Sequence, residues 1–144
     1  MLYLDTSCLV KLYYPEPDSS QVSEATRGQR LIYTALHELE ISTALQLKVF
    51  REEATRKQAN AAQDLLNQDV ESGILCRLSI SFHEPLFQAV SLSRQYAARL
   101  GCRSLDLLHC ATASWLDVGG FLSTDDRQVA LAKAIGLPLL TIPA

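Results

Sequence analysis

The chain has little of what marks the specialised classes of protein. Its four cysteines, Cys8, Cys76, Cys102 and Cys110, are scattered and form no C-x-x-C pair. That spacing argues against a zinc site. In a reducing compartment the four read as buried, small apolar residues. Long apolar runs are also missing, and no stretch approaches the ~20 residues a membrane helix needs. No basic segment precedes an apolar run at the N-terminus, so no signal peptide is expected and the protein is expected in the cytoplasm. Positive charge is not in excess: 13 Lys and Arg against 16 Asp and Glu leave a net charge of −3. That balance argues weakly against nucleic acid as a partner. The total misleads, however, where several carboxylates hold a divalent cation, because the outer surface is then more basic than the sum. Repeats, linkers and low-complexity tracts are absent.

What is present is an ordinary globular composition, 48% hydrophobic and 20% charged, in 144 residues. That length suits one domain spanning 1–144. The opening residues organise the reading. Leu2 to Leu4 form a short apolar strand, and Asp5, Thr6 and Ser7 follow at once. A carboxylate and two hydroxyls at a strand's end suit the edge of an open α/β sheet, where ligands sit. The plainer reading is that Asp5, Thr6 or Ser7 only caps the next helix.

Helices are predicted over 6–14, 18–27, 34–51, 52–72, 82–100, 105–116 and 126–135, and strands over 2–4, 31–33, 74–78, 121–122 and 139–142. Ser81 with Glu84 has the spacing of a capping box, and Ser104 reads as a cap. Strands alternate with helices, which predicts an α/β fold with a mainly parallel sheet.

Four acids stand out. Asp5 follows the first strand, and Asp125 follows Phe121 and Leu122 in the same manner. Glu40 lies on the 34–51 helix. At about 100° per residue, Leu36, Ala44 and Leu47 fall beside it, with Phe50 on the same half. A carboxylate in an apolar stripe needs a cation or a buried partner, or else lies at the stripe's edge. Glu38 points about 200° away, toward Ser42, Leu45 and Val49, and is expected to reach solvent or a partner. Leu45 and Val49 are read as interface residues or a second core contact. Asp106 shares a helical face with His109, Cys110 and Ala113. The plain reading of Asp106 is a first-turn acid, and that of His109 a packed core histidine. The basic residues Lys48, Arg51, Arg56 and Lys57 read as a solvated face before a phosphate contact. Oxygen-only ligands of this kind suit Mg²⁺ or Mn²⁺. With no evident covalent nucleophile and base, they point to metal-assisted phosphoester hydrolysis.

LYLDTSCLVKLY, TALHELEISTAL, DLLHCATA and LSTDDRQVALAKAIGL, taken in order, resemble the four motif regions of PIN-domain nucleases. They are most similar to the VapC-type toxins of prokaryotic toxin–antitoxin pairs. The resemblance spans essentially the whole chain. It implies a three-layer PIN fold, an Mg²⁺ or Mn²⁺ cofactor, endonucleolytic cleavage of RNA, a homodimer and a small VapB-type antitoxin protein. Its acids match Asp5, Glu40, Asp106 and Asp125. Thr6, Ser123 and Arg127 match supporting positions, and Asp126 departs from a position where Lys or Arg is common. A haloacid-dehalogenase-like phosphatase would need a second Asp at position 7, which is Ser. A non-catalytic RNA- or protein-binding module would be expected to have lost some of the acids. Carboxylate repulsion predicts that Glu40→Gln stabilises the cation-free protein.

Overall fold

The computed structural model describes residues 1–143. Four short strands form one sheet: β1 (Leu2–Leu4), β2 (Leu31–Tyr33), β3 (Leu75–Arg77) and β4 (Gly120–Leu122). They are hydrogen-bonded in the order β3-β2-β1-β4, every pair parallel. The helices are α1 (Thr6–Lys11), α2 (Ser19–Thr26), α3 (Ala35–Phe50), α4 (Arg56–Ser72), α5 (His83–Leu92), α6 (Ala98–Leu100), α7 (Ser104–Trp115) and α8 (Asp126–Ala134). No helix among the described residues is long and apolar enough to cross a membrane.

Side chains alternate across a strand, and here the alternation sorts them into two cores. Leu2, Leu4, Leu31, Tyr33 and Leu122 pack on one face with Val22 of α2, Ile41 and Leu45 of α3, and Ala59, Ala62 and Leu66 of α4. Tyr3, Ile32 and Phe121 pack on the other with Ala89 of α5, Ala111 of α7 and Leu131 of α8. Both faces of the parallel sheet are therefore covered, which explains why its strands read as continuous apolar runs. The result is the expected three-layer α/β arrangement.

The topology fixes where a ligand belongs. From β1 the chain steps outward to β2 and β3, then returns to place β4 on the other side of β1. The order reverses at the β1/β4 pair, and in open parallel sheets the crevice beyond the carboxyl ends at such a point is the ligand site. Asp5 leaves β1 there, and Ser123 leaves β4 there.

Several boundaries differ from expectation, each for a local reason. The 52–72 helix begins only at Arg56. Glu52 adopts a left-handed φ of 59°, and Thr55 caps α4 by accepting from Gln58 N while the Gln58 side chain accepts from Thr55 N. That capping box, T-R-K-Q, is a local start signal that overrides the continuous helical periodicity. Conversely, no box forms at Ser81 and Glu84. Ser81 Oγ accepts from His83 N at 3.3 Å, and Phe82 precedes the helix without a side-chain cap. The helix expected over 82–100 is interrupted by a π-helical turn at Ser93–Ala97. Arg103, not Ser104, holds the capping position of α7. The strand expected over 139–142 is reduced to one parallel bridge, Phe121 to Leu139. Cys8, Cys102 and Cys110 are buried as expected, but Cys76 is half-exposed.

Under the sheet's carboxyl edge lies His37, fully buried. Its Nδ1 accepts from the Thr34 N–H at 3.1 Å and its Nε2 donates to the Leu4 carbonyl at 2.9 Å. Burial lowers its pKa from the ordinary 6.5 to about 3. Below pH 6.5 the unfolded chain binds a proton that the folded ring refuses, so stability falls as pH falls. The loss from this one group is about 2 kcal/mol between about pH 7.5 and 5. Urea titrations across that range should show a proton-linkage slope that His37→Gln reduces by about one proton. Equal slopes in the two proteins would remove His37 from the account.

Candidate active site

Asp5 ends β1 in extended backbone and caps α1: its Oδ1 accepts from Cys8 N at 2.9 Å. The plain reading of Asp5 as a cap is thus correct, but it accounts for one oxygen only. Oδ2 accepts from the hydroxyls of Ser7 at 2.7 Å and Ser123 at 3.2 Å. Ser123 Oγ also accepts from Asp125 N at 3.1 Å, which ties the ends of β1 and β4 together. The residue in place of a second carboxylate, Ser7, is an orienting hydroxyl for Asp5.

Asp125 repeats the device. Its Oδ1 caps α8 by accepting from Gln128 N at 3.0 Å. Asp106, in the first turn of α7, accepts from Arg103 N at 3.0 Å through Oδ2, with the exposed Arg103 Nε at 3.7 Å. Among the described residues, no hydrogen bond engages Asp106 Oδ1, Asp125 Oδ2 or Glu40 Oε2. Each of these carboxylates is oriented through one oxygen and keeps the other unengaged.

Glu40 sits at the edge of the buried face of α3, one of the alternatives its helical wheel left open. The face that packs on the sheet runs through His37, Ile41 and Leu45. Leu45 is therefore a core residue, as is the half-buried Val49 packed beside it, and neither offers an interface. Leu47 and Phe50, expected to pack, are exposed, Phe50 to 82%. Glu38 points outward and pairs with Arg77 at 2.7 Å.

Glu40 Oε1 accepts from the Thr6 hydroxyl at 2.8 Å and from His109 Nε2. Thr6 Oγ1 lies 3.1 Å from the same nitrogen. Burial pushes the Glu40 pKa up, but the hydrogen bonds from His109 and the Thr6 hydroxyl outweigh it, and the net direction is below the ordinary value. The ionised form is therefore favoured where it stands. This direction runs against the expectation that neutralising Glu40 would relieve repulsion and stabilise the protein.

Glu40 and Asp106 line one cleft of about 440 Å³, with Arg103, Ser104 and Leu105. A second cleft of about 320 Å³ runs from Thr6, Ser7 and Glu40 past Ala44 and Leu47 to Lys48 and Arg51. Lys48 is not the solvated residue it was expected to be: it pairs with Glu16 at 3.0 Å and lies over the Tyr14 ring. Arg127 and Asp126 are exposed at the start of α8. Two groups of site residues are directly bonded, Asp5–Ser123–Asp125 and Thr6–Glu40–His109, joined through the adjacent Asp5 and Thr6. Among the described residues no three acidic, histidine or cysteine side chains converge as a ready cation cage.

The donor set still suits a hard cation. All four acids and the hydroxyls of Thr6, Ser7 and Ser123 offer oxygen. Mg²⁺ binds through only one or two carboxylates and keeps waters and substrate oxygens for the rest. A closed protein cage is therefore not required.

His109 is the residue that the linear reading undervalued. It is buried and hydrogen-bonded, as expected, yet its partner is a site carboxylate. Its place one turn after Asp106 was the available signal.

Residues 2–134 match the family profile described as "PIN domain". Ribonuclease VapC46 of Mycobacterium tuberculosis is 29% identical over 142 residues, covering 96% of this chain and 95% of the relative. Among solved structures, FitAcB from Neisseria gonorrhoeae superposes with a TM-score of 0.65 at 18% identity, over 98% of this chain and 97% of that one. VapC20 of M. tuberculosis, described as a sarcin-ricin loop cleaving toxin, superposes at 0.66 with 13% identity, over 90% and 94%. VapBC2 from Rickettsia felis, bound to a DNA fragment from its promoter, superposes at 0.66 with 15% identity, over 99% and 100%. At these identities the structural matches speak for the fold.

Proposed function

The chain belongs to the PIN-domain family, and from that membership and the carboxylates at the sheet edge we propose that it is a metal-dependent endoribonuclease of the VapC toxin type. The observation that carries the reading is the pair of bonded groups at the β1/β4 reversal. Asp5 and Asp125 are tied by Ser123, and Glu40 is tied to Thr6 one residue from Asp5. Asp5, Glu40, Asp106 and Asp125 would hold one or more Mg²⁺ or Mn²⁺ ions. A bound divalent ion supplies Lewis acidity toward a phosphodiester oxygen and lowers the pKa of its water.

The protein's own part is orientation and charge. The backbone N–H groups of Cys8, Arg103 and Gln128 fix one oxygen each of Asp5, Asp106 and Asp125. Ser7, Ser123 and Thr6 hold the Asp5 and Glu40 carboxylates by their hydroxyls. Arg103 and Arg127, exposed close to Asp106 and Asp125 in the chain, would meet RNA phosphates. Asp126 next to Arg127 weakens that field locally.

The same reading includes cytoplasmic residence, a single domain over the whole chain, a VapB-type antitoxin and self-association. The relatives' names support the antitoxin. Self-association is supported by the exposed Leu86, Phe87, Val90 and Leu105, three of which line a cavity of about 230 Å³.

Purified protein should cleave single-stranded RNA with added Mg²⁺ or Mn²⁺. EDTA should abolish the cleavage, and an excess of the ion should restore it. RNA binding without cleavage at any ion concentration would instead favour a non-catalytic binding module.

A further inference from the structure

Beneath Glu40 lies a relay of buried side chains for which metal chemistry alone has no need. Tyr3, in the middle of β1, is fully buried and projects into the second core. Its hydroxyl lies 2.8 Å from His109 Nδ1. His109 Nε2 reaches Glu40 Oε1 on the opposite side of the ring. Three elements that are far apart in sequence, β1, α7 and α3, meet in this line.

The hydrogen-bonding roles follow from the chemistry of the ends. An ionised carboxylate only accepts, so Nε2 must carry the proton that faces Glu40. In a neutral ring Nδ1 is then an acceptor, and the Tyr3 hydroxyl donates to it. Glu40 thus dictates the proton on Nε2, and the Tyr3 hydroxyl on Nδ1 holds the ring in the orientation that aims it. Without that hydroxyl the ring keeps its Nε2–H but loses the contact on Nδ1 that fixes its orientation.

We infer that His109 is a positioning residue for the cation site. Held in orientation by Tyr3, it ties down Glu40 Oε1 and leaves Oε2, free of protein hydrogen bonds, for a cation at the cleft that Glu40 shares with Asp106. The inference rests on the reading of Glu40 as a cation-binding carboxylate. It assigns His109 no contact with RNA or with the reacting phosphate. Hydrogen-bond partners behind a ligand fix its orientation, and their loss lowers metal affinity by roughly 10–100-fold.

The test is Mn²⁺ titration of the whole, RNA-free protein by calorimetry, together with ¹⁵N spectra of the histidine rings. His109→Leu should weaken Mn²⁺ binding by about tenfold or more. His109→Gln carries an amide donor at a similar reach and should recover most of the loss. Tyr3→Phe keeps the ring packed and should produce a smaller loss, but no added loss in the His109→Leu background. The spectra should show Nε2 protonated in the metal-free protein.

Mn²⁺ binding by the parent that is unchanged in both His109→Leu and Tyr3→Phe would overturn the positioning role while leaving the cation site intact. A bare Nε2 in the folded parent would overturn it too. Failure of the parent itself to bind Mn²⁺ would overturn the cation reading, and with it this inference.

Discussion

Asp5→Asn is expected to slow RNA cleavage steeply while leaving the fold almost untouched. The substitution separates the two roles that Asp5 plays. As a cap, Asp5 Oδ1 receives Cys8 N at 2.9 Å, and an Asn side-chain carbonyl can receive the same N–H, since Asn caps helices as well as Asp does. The Ser7 and Ser123 hydroxyls donate to Oδ2. The Asn NH₂ placed there cannot accept from them, but hydroxyls can rotate to become acceptors. The stability cost should therefore stay within about 1–2 kcal/mol. The charge, by contrast, is lost outright at the point where β1 and β4 diverge. A site built on electrostatic stabilisation typically loses about 10²–10³ in rate when one such group is removed. Rate measurements under saturating Mg²⁺, paired with a thermal melt, decide the matter. An Asp5→Asn protein that cuts RNA as fast as the parent would leave Asp5 as a helix cap and nothing more.

The parts of the molecule legible from sequence were those with short-range causes. An apolar triplet followed by Asp-Thr-Ser reads as a strand end at residues 2–7, and Phe121-Leu122-Ser123-Thr124-Asp125 repeats it. Periodicity placed α3, α4 and α7 to within a few residues. Local signals also failed where two of them competed. Arg51 to Ala54 carry no breaker residue, yet Glu52 takes a left-handed turn because the Thr55 capping box starts α4 afresh. Long-range causes were not legible. His109 meets Tyr3 across 106 positions, Thr6 across 103 and Glu40 across 69. A single sequence places a histidine on an apolar face without showing which element is packed against it. The orientation of α3 was misjudged for the same reason. Its outer ridge, Leu39, Leu47 and Phe50, is as apolar as its buried one, so a helical wheel cannot choose between them.

That ambiguity makes the Glu38 and Glu40 pair the sharpest test of the site. The two carboxylates are two residues apart on α3, and the structure gives them unrelated surroundings. Glu38 is half-exposed and pairs with Arg77, itself half-exposed, at 2.7 Å. Exposed pairs contribute little, so Glu38→Gln should cost well under about 1 kcal/mol and leave cleavage close to the parent rate. Glu40 is 22% exposed at its side chain and joined to Thr6 and His109. The net direction of its pKa shift is downward, which means the folded protein favours the charged form. Its contribution to stability is accordingly present above the usual glutamate range and lost as pH falls through the lowered value. Glu40→Gln keeps a carbonyl that can accept from Thr6 and His109 but gives up the charge-assisted part of both bonds. We expect it to be less stable than the parent by about 1 kcal/mol, rather than more stable, and inactive in RNA cleavage. Side-by-side urea unfolding and cleavage assays of the two variants separate these effects. A fully active Glu40→Gln beside an inactive Glu38→Gln would place the working carboxylate on the Arg77 side of α3. The Thr6–Glu40–His109 contact would then be a purely structural tie between α1, α3 and α7.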